Sequence, residues 1–161
     1  MAEANKKVKS LVVLNNVTLE STETATQAAA SRMIVDTFMS DQLNLTIKYT
    51  TGAAETNNNC YIKVWGYIGT KSTNTNYPYA NTTDTDIAAD SDNWIQVGTF
   101  DLSSGTATHT PTVYKVVGAA AATTYTAHFA VGITFPKIRV SAYEDGVAAN
   151  KGSVTVNVLI Q

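Results

Sequence analysis

Between Phe135 and Ile160 the chain alternates apolar and polar residues in two successive runs. In Ser153 to Ile160, Val154, Val156, Val158 and Ile160 take every second position, with Ser153, Thr155 and Asn157 between them. In Lys137 to Glu144, Ile138, Val140 and Ala142 alternate with Lys137, Arg139, Ser141 and Tyr143. Successive side chains of a strand point to opposite faces, so a β-branched period of two reads as an extended segment with one buried face. The connection from Asp145 to Gly152 holds Gly146 and Gly152. Two alternating runs around such a segment predict a β-hairpin. At eight residues the connection exceeds the tightest turns and reads as a surface tip.

The same period recurs upstream. Val8 to Leu19 sets Leu11, Val13, Val17 and Leu19 on one face, broken at Asn15, which predicts a strand bulged near Asn15-Asn16. Gln42 to Thr51 alternates most cleanly, with Leu43, Leu45, Ile47 and Tyr49 inward. Cys60 to Ile68 has two substantial faces: Cys60, Ile62, Val64 and Ile68 on one, and Tyr61, Lys63, Trp65 and Tyr67 on the other. That predicts a central strand, or one whose second face contacts another subunit. Arg32 to Phe38, Trp94 to Phe100, Thr112 to Val117 and Thr123 to Val131 complete the strands, and Asp101 to Pro111 reads as turns. Gln27 to Ile34 suits a helical turn and an extended connection equally.

Crossover helices are wanting, so a parallel α/β sheet is excluded. The expectation is an all-β chain. Residues 1–161 form a single antiparallel β-sandwich domain, jelly-roll-like, of eight or nine strands, with residues 1–7 as a flexible arm. A closed barrel is the alternative.

Composition narrows the function classes. Charged residues make up only 15% of the chain, so solubility rests on 25 Thr and 13 Asn. The net charge of −2 gives no basic stripe for nucleic acid, and Lys6, Lys7 and Lys9 read as a solvated arm. No apolar run is long enough for a membrane span, and no charged-then-apolar leader opens the sequence. Cys60 is the single cysteine, which excludes an internal disulfide and reads as a small buried apolar residue. A Thr/Asn-rich, charge-poor β-protein made and kept in the cytosol fits a virion component that folds in a host cytoplasm.

Candidate chemistry is sparse. His109 and His128 have no neighbouring motif that supplies a nucleophile or an orienting carboxylate, so the chain is expected not to be an enzyme and to need no cofactor. Asp84, Asp86, Asp90 and Asp92 offer carboxylates at Asp-x-Asp spacing, the kind of oxygen-rich set calcium takes. They lack the Gly and closing Glu of an EF-hand loop, and the competing reading is a solvated acidic loop. Tyr77 and Tyr79, flanking Pro78, would form with Trp65 or Trp94 an aromatic platform for a sugar or an anchor at a protein interface, and Tyr77, Tyr79, Trp65 and Tyr67 are the candidate interface residues. Trp94 on its own is expected in the sandwich core.

Ser91-Asp92-Asn93-Trp94 opening Ile95 to Phe100, then Phe135-Pro136-Lys137-Ile138-Arg139-Val140 and Gly152-Ser153-Val154-Thr155-Val156, resembles small β-sandwich proteins of tailed-phage virions. In those, a Ser-Asp-(Gly)-x-x-Trp turn opens a strand, and Asn93 stands here where they carry Gly. Discoidin-type carbohydrate-binding sandwiches share the Asp-x-x-Trp turn. The first resemblance implies a capsid decoration, neck or tail subunit. It would bind itself, by analogy as a trimer, and other virion proteins such as the major capsid protein. The second implies a carbohydrate-binding module, with calcium held by the acidic loop.

Overall fold

The computed structural model describes residues 9–20, 35–37, 40–54, 58–67, 94–101, 108–133, 135–145 and 150–160. All regular structure among them is strand: β1 (Lys9–Thr18), β2 (Val35–Asp36), β3 (Gln42–Thr50), β4 (Asn59–Tyr67), β5 (Trp94–Gln96), β6 (Gly98–Asp101), β7 (Thr108–Pro111), β8 (Val113–Val117), β9 (Thr124–Gly132), β10 (Lys137–Glu144) and β11 (Ser153–Ile160). One sheet runs β1-β11-β3-β9. The other runs β2-β10-β4, with β5 and β8 each pairing with part of β4. Every ladder is antiparallel.

With the β5–β7 insert set aside, the order β1-β11-β3-β9 against β2-β10-β4-β8 is that of two interleaved Greek keys, as in a jelly roll. The sandwich is borne out. The strand count differs, because Val97 divides the expected Trp94–Phe100 strand into β5 and β6, and part of the expected turn region is β7. Val97 N donates to Val64 O at 2.7 Å and Thr112 N to Val97 O at 2.9 Å. At that point the insert leaves β4 and continues as the two-stranded β6–β7 ribbon.

The C-terminal hairpin is not formed. β10 pairs with β2 and β4, whereas β11 pairs with β1 and β3 in the opposite sheet. The two runs face each other across the core as an arch. Alternation reports that each run buries one face; it does not distinguish a neighbour in the ladder from one across the sandwich.

The core lies between the inward rows. Leu43, Leu45, Ile47 and Tyr49 of β3, Val156 and Val158 of β11, and Ile62, Val64 and Ile138 of β4 and β10 have no solvent exposure. Each fully buried aliphatic side chain contributes roughly 1.5–3 kcal/mol. The bulge expected near Asn15-Asn16 is present. The β1–β11 register shifts between Val12 and Leu14 and between Leu14 and Val17, and Asn16 takes a left-handed φ of 48°. Both Val13 and Leu14 thereby turn inward.

At one end of the sandwich the turns are tied by buried polar contacts around Glu144, which is wholly buried. Its Oε1 accepts from Tyr49 Oη at 2.9 Å and from Asn58 Nδ2 at 3.1 Å, and its Oε2 from Gly152 N at 2.7 Å. One carboxyl thus joins β3, the start of β4 and the start of β11. Beside it Thr51 Oγ1 donates to Ala120 O at 2.6 Å and accepts from Thr123 N at 3.0 Å, tying the end of β3 to the β8–β9 turn. Burial first, then the Glu144 hydrogen bond, push the Tyr49 phenol well above its ordinary pKa. Burial, with Glu144 and Asp145 nearby, does the same to the Cys60 thiol. A thiol held protonated is a poor nucleophile, in keeping with Cys60 as a packing residue.

Candidate interaction face

The second sheet has two occupied faces. Its inner face is core; its outer face carries the alternate residues of β4, β10, β5 and β8. Register decides which of them meet. Tyr143 lies opposite Tyr61 and their rings stack at 4.9 Å with 14° between planes. On the other side of β4, Lys115 lies opposite Tyr61, its ammonium 5.6 Å from the ring centroid. Lys63, the next outward residue of β4, places its ammonium 5.2 Å from the Tyr143 ring and 5.9 Å from that of Trp65. Trp65 Nε1 donates to Ser141 Oγ at 2.9 Å. Farther along, Tyr67 meets Trp94 edge-on at 5.2 Å, and the Arg139 guanidinium stands 4.1 Å from the Trp94 ring.

Aromatic side chains suit the pleated surface, and the apolar stems of lysine lie along it with their charges outward. Pairs of this kind contribute about 0.5–1.5 kcal/mol for stacked rings and about 0.5–1 kcal/mol for an exposed cation over a ring. The face is graded. Around Trp94 it is closed, with Arg139, Ser141 and Tyr67 buried. Around Tyr61 it is open: Tyr61, Lys63 and Tyr143 are half-exposed, Val113 is 41% exposed and Val117 57%. Its open end presents the edges of the stacked tyrosines, the two aliphatic side chains of Val113 and Val117, and Lys63 and Lys115 within one pleated surface. Such a surface can pack against an apolar or aromatic group of a partner.

Asp145 borders the open end. Its carboxylate accepts from Asn59 N at 2.6 Å, Asn59 Nδ2 at 2.7 Å and Tyr61 Oη at 2.8 Å. Desolvation works against its ionisation, but the bonds from Asn59 and Tyr61 and the charge of Lys115 outweigh it and hold its pKa below the ordinary carboxylate value. The same bond raises the Tyr61 phenol. A depressed folded pKa contributes stability that is present above the unfolded value, about 4, and lost as pH falls through the folded value. Asp145→Asn should therefore flatten the decline of the thermal midpoint in the acid range below about pH 4; a midpoint–pH profile parallel to the wild type would rule the bond set out as a source of acid sensitivity.

Of the sequence-derived candidates, Trp65 and Tyr67 lie on this face, Trp65 half-exposed and Tyr67 8% exposed. Tyr77, Tyr79, Asp84, Asp86, Asp90 and Asp92 lie outside the described residues. Trp94 corrects its expectation. It is 4% exposed, but its register partner is outward-facing Tyr67 and it is not part of the core cluster between the sheets. A tryptophan buried on the outer face has the same sequence signature as one in the core. Sequence reasoning missed Tyr143, Lys115, Val113 and Val117. The signal for Tyr143 was its parity with Arg139 and Ser141; that of β8 was masked by Tyr114, whose inward ring packs on Phe129 at 5.1 Å. His128 is exposed on β9, its Nδ1 3.0 Å from Thr46 Oγ1, and His109 lies in β7 instead of a turn. No family model, curated protein or solved structure matches the chain.

Proposed function

We propose that the chain is a non-enzymatic structural subunit of a virion, a capsid decoration or head–tail accessory protein that self-associates and binds the particle lattice. The observation that carries this reading is the outer face of β10–β4–β8. Solvent-exposed valines and half-exposed aromatic rings rimmed by Lys63, Lys115 and Asp145 make a surface of the kind proteins use for partners. The resemblance over roughly Tyr61 to Ile160 and the Thr/Asn-rich, charge-poor composition supply the virion setting, and jelly rolls are a recurrent architecture of capsid and lectin domains.

Purified particles should contain the chain in fixed stoichiometry by mass spectrometry, and its absence from them would sink the reading. Val117→Glu and Lys115→Glu both alter exposed side chains. Combined, they should weaken rebinding of the protein to stripped particles by roughly tenfold or more, while the circular dichroism spectrum stays unchanged. Unchanged rebinding would remove the face from the lattice contact.

The half-exposed Trp65 beside the Tyr61–Tyr143 stack favours a second reading, a carbohydrate-binding module in which a sugar ring lies against the indole. A strict monomer retained on a glycan column and absent from particles selects that reading.

A further inference from the structure

β3 pairs with one edge of β9, and among the described residues no strand pairs with the other. A long open edge is a template for another chain, and proteins blunt such edges with bulges, charges, prolines or brevity. The other margins of the sandwich carry these devices. β1 has two register shifts and left-handed Asn16; β2 is two residues long and ends in Asp36; β5 has three residues; β8 has five and carries Lys115. β9 has none of them. It runs nine residues, Thr-Tyr-Thr-Ala-His-Phe-Ala-Val-Gly, without proline, Lys, Arg, Asp or Glu, and keeps one register with β3 throughout.

A second observation lies beneath that edge. The inward rows of β3 and β11 are buried, whereas in the inward row of β9 Tyr125, Ala127 and Phe129 are only half-buried and Val131 alone is buried. Tyr114, packed on Phe129 from the facing sheet, is also half-buried. Among the described residues the flank of the core is thus open where the sheet edge is open. Its occupant must supply both backbone hydrogen-bonding groups and an apolar side-chain row.

We propose that the occupant is β9 of a second copy, paired antiparallel about a two-fold axis through His128. This register overlaps the whole strand, setting Thr124 against Gly132, Tyr125 against Val131, Thr126 against Ala130 and Ala127 against Phe129. On the inner face large side chains meet smaller ones, on the outer face Thr124 and Thr126 meet Gly132 and Ala130 while His128 meets its own copy on the axis, and neither strand brings a Lys, Arg, Asp or Glu to face its copy. Two four-stranded sheets become one of eight, and the two open flanks close on each other. The inference specifies the self-association in the reading above. It replaces the trimer expected by analogy with an isologous pair, since an edge that pairs with itself closes as a dimer.

Light scattering on the full chain should give a dimer. Thr126→Lys, which puts a charge on an exposed position of the edge, should weaken it roughly tenfold or more without altering the circular dichroism spectrum. Directly opposite residues of antiparallel strands stand about 4.5–5.5 Å apart at Cα, within disulfide range. His128→Cys should therefore form a disulfide-linked dimer under mild oxidant, whereas Thr124→Cys, far from the axis, should not; native Cys60 is buried and does not interfere. A trimer or larger particle indifferent to Thr126→Lys overturns the edge pairing and leaves self-association standing. A dimer that survives Thr126→Lys and fails to cross-link through His128→Cys overturns the edge pairing alone. A wild-type monomer overturns both.

Discussion

Glu144→Ala should lower the thermal midpoint by roughly 10 °C or more, the largest loss of any single side chain on the inward face of the second sheet. The carboxyl takes three donors inside the sandwich: Tyr49 Oη, Asn58 Nδ2 and Gly152 N. Truncation removes the acceptor of all three, at about 1–3 kcal/mol for each buried group left unsatisfied. It also opens a cavity between β3, β4, β10 and β11. Tyr49→Phe takes away one donor and leaves the carboxyl with two, so it should cost only about 1 kcal/mol. Glu144→Gln keeps the volume but turns one acceptor into a donor, and should fall between them. The ranking is read from denaturant or thermal unfolding of the three variants. If Glu144→Ala melts within about 2 °C of wild type, the carboxyl does not hold this end of the sandwich.

Gly52→Ala should destabilise by about 3 kcal/mol through a different mechanism, overpacking. Gly52 follows β3 and its carbonyl accepts from Ala122 N at 3.0 Å, at the β8–β9 turn. A Cβ there would collide with the backbone carbonyl of Asn150, just ahead of β11. Backbone cannot rotate away as a flexible side chain can, so the collision moves two turns or breaks their bonds. Gly132 is the control within the same fold, since a Cβ there meets nothing. Gly132→Ala should leave the monomer's unfolding midpoint within about 1 °C. Equal midpoints for the two variants would show that the end of the sandwich yields easily.

The strands themselves were legible in the sequence. β3, β4, β9, β10 and β11 lie within two residues of the alternating runs that announced them, because a half-buried strand must repeat every two residues. What alternation does not encode is the partner. The Lys137–Glu144 and Ser153–Ile160 runs read as hairpin mates yet sit in opposite sheets, since a short connection spans an arch across a core about 10 Å thick as easily as a turn. The aromatic face was half legible. Trp65 and Tyr67 stood out as a second face on β4, whereas Lys115 and Tyr143 joined them only through pairing across β8 and β10. Glu144 was invisible as a buried group. It closes the Lys137–Glu144 run with the parity of the core residues, and a carboxylate at a strand end ordinarily reads as solvent-facing.

The β1–β11 ladder also sets a schedule. Lys9 lies beside Ile160 and Thr18 beside Ser153, so among the described residues β1 gains its sheet partner only once β11 has been synthesised. β3 waits likewise for β9 on one side and β11 on the other. Contacts this distant in sequence make folding slow and leave apolar strands uncovered meanwhile. During that interval the chain is guarded chiefly by its scarcity of long apolar runs and its abundance of threonine and asparagine. The threonine- and asparagine-rich composition thus bears on the waiting β1 as much as on the finished surface.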